Sequence, residues 1–423
     1  MKILHTADLH LGQIIYQNYD RSEEHRHFFS QLELWCKEEQ PDALLVSGDV
    51  FDIQQPSASV KKAFTDYFVR LHQECPQMTI VITAGNHDSA SRIQADNAVW
   101  QLANTHMVGT PPAVDAEDGW QYQYIIKINS GYIVALPYMA GDRRRTIQSI
   151  LDKVAEDNVF GLPVVMMAHQ AVAGLDTTGH NFDIGTLKTL DSASFGNGFD
   201  YLALGHIHKP QTIGHQEDGM KADTVYQAPV MRYSGSALHV SCDENYPHTV
   251  SLVSLDRHLG KVQIRQLRIN ELYHFYVLPN SGPSFTSAEE AIESLKLFAS
   301  EGERGYVRFR FDQSANLPAN FGQMIYDVLL PYNEKWRYNP KMLWTGTDAA
   351  EEEKEELVFE VAELQQMTDP MMFIERTQDQ YPGLDLEDVR QAFQEVREEM
   401  VRIRDEKEAR NRQKQPQLLN NEA

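Results

Sequence analysis

Five short apolar runs in the first 208 residues each stop on side chains that a protein core does not favour. KILHTA leads into Asp8-Leu-His10, DALLVS into Gly48-Asp49, and TIVITA into Gly85-Asn86-His87-Asp88. PVVMMA leads into His169, and DYLAL into Gly205-His206-Ile-His208. Runs of this length, bounded by Gly and polar residues, read as buried strands. Taken singly, each polar tail is an ordinary turn. Taken together, they set Asp, Asn and His just past the carboxyl ends of five strands, the edge where open α/β sheets place their sites. Turning so many polar groups toward one rim costs desolvation that turn chemistry does not offset.

Between these runs the chain carries helical spacing, as in Val60, Phe64, Tyr67, Phe68 and Leu71, and a further helix is expected around residues 28–35. Strand–helix–strand succession predicts a layered α/β body. Two strands near 248–255 and 261–269 form a hairpin around Arg257-His258-Leu259-Gly260, and the body is expected to span 1–275. After Asn280-Ser-Gly-Pro283, Ser287-Ala-Glu-Glu290 is a capping-box opening for a helix. Val307, Phe309 and Phe311 then alternate with Arg308 and Arg310, and a helix near 321–330 completes a small α+β domain over 276–348. Residues 349–423 read as an acidic linker and a helical tail. There Leu386, Val389, Phe393, Val396, Met400 and Ile403 step by three and four along a charged helix. That stripe packs either on its own body or on a partner's helices.

Asp8, His10, Asp49, Asn86, His169, His206 and His208 supply oxygen and nitrogen donors without a thiolate. One carboxylate can bridge two cations, so seven residues provide eight bonds, four to each of two ions. Two divalent cations against Asp8 and Asp49 leave a charge of about +2, suited to a phosphate ester. The ligand softness fits Mn²⁺, Mg²⁺, Fe²⁺ or Zn²⁺. Two such ions ~3.5–4 Å apart can clamp both reacting oxygens of a phosphoryl displacement.

In their order along the chain, Asp8-x-His10, Gly48-Asp49, Gly85-Asn86-His87-Asp88, His169 and Gly205-His206-x-His208 resemble the calcineurin-like metallophosphoesterases. HTADLHLGQ, SGDVFD, AGNHDS, ALGHIHKPQ and YSGSALHVSCDE are similar, more narrowly, to the SbcD-type nuclease subunits of bacterial double-strand-break repair nucleases. The likeness covers about the first 270 residues and weakens beyond. It implies a four-layer α-β-β-α sandwich, a DNA-capping domain and an ATPase-binding tail. It also implies one ion on Asp8, His10, Asp49 and His208, and a second on Asp49, Asn86, His169 and His206, with Asp49 bridging and Mn²⁺ the expected metal. His87 would meet the scissile phosphate or leaving oxygen, with Asp88 orienting its ring. The implied activity is 3′→5′ exonuclease action on duplex ends and endonuclease cutting of hairpins or single strands. The implied partners are DNA, the SMC-like ATPase SbcC and a second copy of the chain. One departure is Asp52, where archaeal and eukaryotic relatives often carry His. A phosphoprotein or nucleotide phosphatase is the alternative reading, and a non-catalytic scaffold is disfavoured because every ligand position is filled.

A net charge of −23 argues against nonspecific nucleic-acid or membrane binding by the whole surface. Residues 351–410 alone hold 19 acidic against 8 basic residues. Candidate DNA contacts are therefore local: Arg143-Arg144-Arg145, Lys209, Arg232, and Arg308 with Arg310. His25 and His27 sit in a charged stretch and are expected at the surface. No run is long enough to span a membrane, MKILHTADLH is not a signal peptide, and the dispersed Cys36, Cys75 and Cys242 suit a reducing cytoplasm.

Overall fold

A computed structural model describes residues 1–16, 19–112, 119–141, 143–176, 189–215, 223–240, 244, 246–302, 304–332 and 335–345. The apolar stripe at 386–403 and Cys242 lie outside the described residues. Met1–Gly346 forms one compact unit.

Two sheets form the body of this unit. In one, Lys2–Thr6, Ala43–Ser47, Thr79–Thr83 and Thr105–Val108 run parallel in that order, and Thr249–Asp256 joins antiparallel beside Lys2–Thr6. Lys261–Arg268 pairs back on Thr249–Asp256, so the expected hairpin is present, and Thr224–Gln227 closes the edge. The second sheet centres on parallel Gly131–Ala135, Val164–His169, Tyr201–Gly205 and Val230–Tyr233.

The apolar runs are unbroken because each central strand is covered on both faces. Leu4, Leu44, Val46, Ile80 and Ile82 pack with Phe28, Phe29, Leu32, Phe64 and Phe68 from the helices Ser22–Glu39 and Ala58–Glu74. Their neighbours Ile3, Ala43, Leu45 and Val81 belong to the other core, with Val165, Met167, Tyr201 and Ala203 of the second sheet. Ile147, Ile150, Leu151 and Val154 of the helix Arg144–Asp157 join that second core. The layers are therefore helix, sheet, sheet, helix. Alternation of period two thus survives inside Ala43–Val46 and Ile80–Ile82, stretches with no polar residue.

A smaller sheet follows. Gly305–Asp312 lies at its centre, parallel to His274–Leu278 on one edge. Its other edge pairs twice, with Trp336–Tyr338 near its start and Leu343–Thr345 near its end. Val307, Phe309 and Phe311 are fully buried against Ala288–Glu301 and Phe321–Leu329, as the alternation predicts. The Ser287 side chain caps the first helix by accepting from Glu290 N–H at 3.3 Å. The Glu290 carboxylate reaches back to Thr286, accepting from its N–H and hydroxyl, each at 3.0 Å.

A polar knot joins this cap to the body. Buried Glu24 accepts from Arg21 Nη2 at 2.7 Å, from the Tyr306 hydroxyl at 2.6 Å and from Arg337 Nη1 at 2.9 Å. The Arg337 guanidinium lies 3.9 Å from the Tyr273 ring centre. His25, expected at the surface, is buried and its Nε2 donates to the Leu9 carbonyl at 2.8 Å. Within the charged stretch that opens this helix, Glu24 lies inside because Tyr306 and Arg337, far along the chain, cover it, while Glu23 and Arg26 stay exposed.

Candidate metal centre

The loops that leave the strands are held in backbone shapes few residues tolerate. Asp8, His10, Asp49 and His206 have φ of 51°, 45°, 48° and 92°. Asp, Asn and His enter this left-handed region more readily than other residues with a Cβ. The loops after the first two strands run side by side, Asp8 N–H donating to Gly48 O at 3.0 Å and His10 N–H to Asp49 O at 3.0 Å. The glycines of the motifs answer a need for space. A Cβ on Gly48 would stand 2.1 Å from His169 Nδ1, one on Gly85 2.1 Å from Asp49 Oδ1, and one on Gly205 1.8 Å from Ser47 O.

All seven candidate ligands converge. Asn86 Oδ1 lies 3.1 Å from His169 Nε2 and 2.9 Å from His206 Nδ1, and Asp49 Oδ2 lies 3.2 Å from His169 Nε2. Asp8, His10 and His208 bring one ligand atom each within 4.8 Å of the others, as do Asp8, Asp49 and His169. His10 Nε2 is buried without a hydrogen-bond partner, 4.0 Å from Asp49 Oδ2. Ligand atoms ~2.1 Å from one ion stand ~3.0 Å apart at right angles and ~3.4 Å apart tetrahedrally. The spacings around Asn86 and Asp49 fall in that range, so the donor set fits a divalent cation.

The electrostatics agree. Burial pushes the Asp8 carboxyl up, and the Asp49 charge adds to this against His169. Burial also works on Asp49, but His169 and His10 hold it below the usual carboxylate range. Burial favours a neutral His169, yet Asp49 and Asp8 raise it to about 9. Burial and the neighbouring His10 hold His208 well below the ordinary histidine value. Cations entering this cluster would compete with its protons.

Residues 1–210 match the calcineurin-like phosphoesterase family. The chain carries a calcineurin-like phosphoesterase domain over those residues, just under half of its length. It is 31% identical over 286 residues to the SbcD component of the SbcCD nuclease of Rhodobacter capsulatus, a match covering 60% of this chain and 66% of that one. Against the Escherichia coli protein of the same name it is 29% identical over 275 residues, covering 59% and 65%. For Bacillus subtilis the identity is 28% over 277 residues, covering 60% and 66%. The matches thus span just under two thirds of each relative's length.

Around the candidate ligands, the structure places His87 and Asp88 differently from what the sequence suggests. His87 is exposed, its backbone N–H donating to Asp49 Oδ1 and its ring Nδ1–H to the Asp52 carbonyl, both at 2.9 Å. Asp88, expected to aim that ring, instead accepts from the N–H groups of Val50, Phe51 and Gly85 at 3.0, 2.9 and 2.8 Å. It fastens the Gly48–Phe51 loop to the Gly85 turn, because its buried carboxylate is saturated by backbone donors. The carbonyl of Asp52 aims His87.

Two further carboxylates join the site: Asp52, noted in the sequence only as a departure from relatives that carry His, and Glu244, given no role there. Asp52 Oδ1 lies 3.4 Å from His10 Nδ1, and buried Glu244 accepts from His208 Nδ1 at 3.0 Å. The only sequence signal for Glu244 was its place at the end of YSGSALHVSCDE.

The basic candidates divide. Arg232 is fully buried, donating to Ser251 at 2.9 Å and Thr212 at 2.8 Å, so it is not a DNA contact. Arg310 donates to the carbonyls of Pro279 and Gly282 at 3.3 and 3.2 Å and braces the cap. Lys209 pairs with Asp176. Arg144 and Arg145 stay exposed at the start of their helix and Arg143 is half-buried beside them, while Arg308 is half-buried on the cap.

Proposed function

We propose that this chain is a metal-dependent DNA phosphodiesterase, the nuclease subunit of an SbcCD-type complex. The convergence of seven oxygen and nitrogen donors beside an exposed, anchored His87 carries the reading. Kinship with known nuclease components points it toward DNA. Asp8, His10, Asp49 and His208 would hold one divalent ion, and Asp49, Asn86, His169 and His206 the other, with Mn²⁺ the expected metal. When bound, such ions activate water and neutralise phosphate charge. His87 donates Nδ1–H to Asp52, which turns Nε2 outward to hold the phosphate or to protonate the leaving oxygen. Asp88 keeps the two loops in register while this happens.

Exonuclease action in the 3′→5′ sense, hairpin and single-strand cleavage, a homodimer, nucleoid-associated residence in the cytoplasm and an SbcC-like partner bound by the stripe at 386–403 complete the proposal. Purified protein with Mn²⁺ should cleave an end-labelled DNA hairpin, and His87→Ala should lower the rate by at least ~100-fold. Turnover of a phosphomonoester without DNA cleavage would move the protein to the phosphatase reading. Deleting residues from Gly383 onward should abolish co-purification with the ATPase; unchanged binding would remove the tail from its role.

A further inference from the structure

The strand Gly131–Ala135 reaches the rim without bringing a ligand. It runs parallel to Val164–His169, which runs parallel to Tyr201–Gly205, so its carboxyl end opens on the same edge as His169 and His206. There it presents Tyr138, which is 38% exposed and lies between the buried Leu136 and Met139. A single exposed aromatic ring is ordinary. This one is fastened to the site. Its backbone N–H donates to the carbonyl of Ala84, two residues before Asn86, at 2.7 Å. The next carbonyl, that of Met139, accepts from the side chain of Gln170, the residue after His169. Two ligand-bearing loops thus hold the segment that carries the ring.

The ring itself leans on candidate ligands. Its centre is 6.3 Å from that of His169, edge to face at 77°, and 6.4 Å from that of His206, at 37°. Elsewhere on the donor set, the exposed His87 ring stands 5.0 Å from His10 at 85°. Two exposed rings therefore border the seven candidate ligands, each against different members. A phosphodiester seated on those ligands carries a nucleoside on each side of the reacting bond, where a monoester carries one organic group. Tyr138 belongs to none of the apolar cores, so the packing of the body leaves its outer surface over.

A tyrosine ring offers a base a flat apolar face, and stacking on it needs no particular base, since every base has a π-face. The base must first leave its own stack, which costs least for an unpaired nucleotide. We propose that Tyr138 is the stacking platform for the base of an unpaired nucleotide next to the reacting phosphodiester, a role that rests on the nuclease reading above. The strand cut at this centre is then single-stranded where it meets the ring, as in a hairpin loop or a frayed end.

Steady-state cleavage of an end-labelled DNA hairpin by the full chain with Mn²⁺ tests this, alongside calorimetric titration with Mn²⁺ alone. Tyr138→Ala should raise KM by about 5–150-fold with kcat kept, the loss expected when ~1–3 kcal/mol of stacking is removed. Tyr138→Phe, which keeps the ring, should keep the wild-type KM. Mn²⁺ affinity should be the same in all three proteins. A hairpin lacking the base of one nucleotide beside the cleaved bond should cost the wild type a similar factor, and cost Tyr138→Ala nothing further. An unchanged KM in Tyr138→Ala would overturn the proposal. So would weakened Mn²⁺ binding in that variant, which would make the ring a brace for His169 and His206. Full multiplication of the two losses would overturn it too, because ring and base would then not meet. Wild-type protein that cleaves no DNA would overturn the nuclease reading, and this role with it.

Discussion

The rim of the body and the sheet of the cap are built on opposite terms. At the rim, Asp8, Asp49 and His169 are nearly or fully buried, four ligands sit in left-handed backbone, and glycines clear space for them. Every one of those features costs folding free energy. In the cap, Val307, Phe309 and Phe311 simply alternate into an apolar core. The cap stabilises itself locally, whereas the rim exists because two large sheets impose it. Left-handed backbone and buried acidic and histidine groups gather at the rim, while apolar packing and the buried Arg21–Glu24 knot hold the small sheet to the body.

The sharpest way to break that contrast is Gly205→Ala. Its Cβ would fall 1.8 Å from a backbone carbonyl that has nowhere to go, so hairpin cleavage should vanish and stability should drop by about 5 kcal/mol. A variant with wild-type activity and melting would show that the rim is not the rigid part. Next comes Phe309→Ala, which empties the cap core and should cost about 4 kcal/mol in a urea titration while leaving Mn²⁺ binding intact. Loss of Mn²⁺ binding in a folded Phe309→Ala protein would mean that the cap supports the rim after all.

Acid should expose the body more gradually. Burial, helped by Arg232 for one and Arg21 for the other, lowers His5 to about 3 and His25 to about 4. The unfolded rings take up protons below about 6.5 and the folded ones do not, so stability is lost as pH falls from 6.5 toward 4. Each unit of separation is worth about 1.4 kcal/mol per ring at full effect. His25→Gln, which keeps a donor for Leu9 O, should flatten the profile of stability against pH; an unchanged slope would assign the loss elsewhere. The smallest effect belongs to Tyr306→Phe, which removes one hydroxyl from the Glu24 knot. About 1–2 kcal/mol should disappear from thermal stability, with cleavage retained.

What the sequence made legible follows the same division. The convergence of the candidate ligands after apolar strands could be read because the topology of a parallel sheet fixes which end of each strand faces a common rim. The cap strand could be read because its alternation is local. Other assignments depended on contacts distant in sequence. His25 and Glu24 look solvated beside Glu23 and Arg26, and only Tyr306 and Arg337 show that Glu24 lies inside. Arg232 follows the ligand motifs in sequence but points among Ser251 and Thr212. Asp88 neighbours His87 in sequence, yet backbone N–H groups of Val50 and Phe51, from a much earlier loop, claim its carboxylate. Asp52 and Glu244 end the quoted stretches SGDVFD and YSGSALHVSCDE, but nothing local to either stretch shows that they face His10 and His208.

The left-handed backbone at Asp8, His10, Asp49 and His206 also bears on how the site should be interrogated. Alanine at these positions would remove a donor and disturb the loop at once, so a dead enzyme would say little about which loss mattered. Asparagine at 8 or 49 keeps the same outline and still settles into positive φ. For this rim the isostere isolates the carboxylate charge, leaving an oxygen donor and the loop in place, whereas alanine confounds donor and backbone.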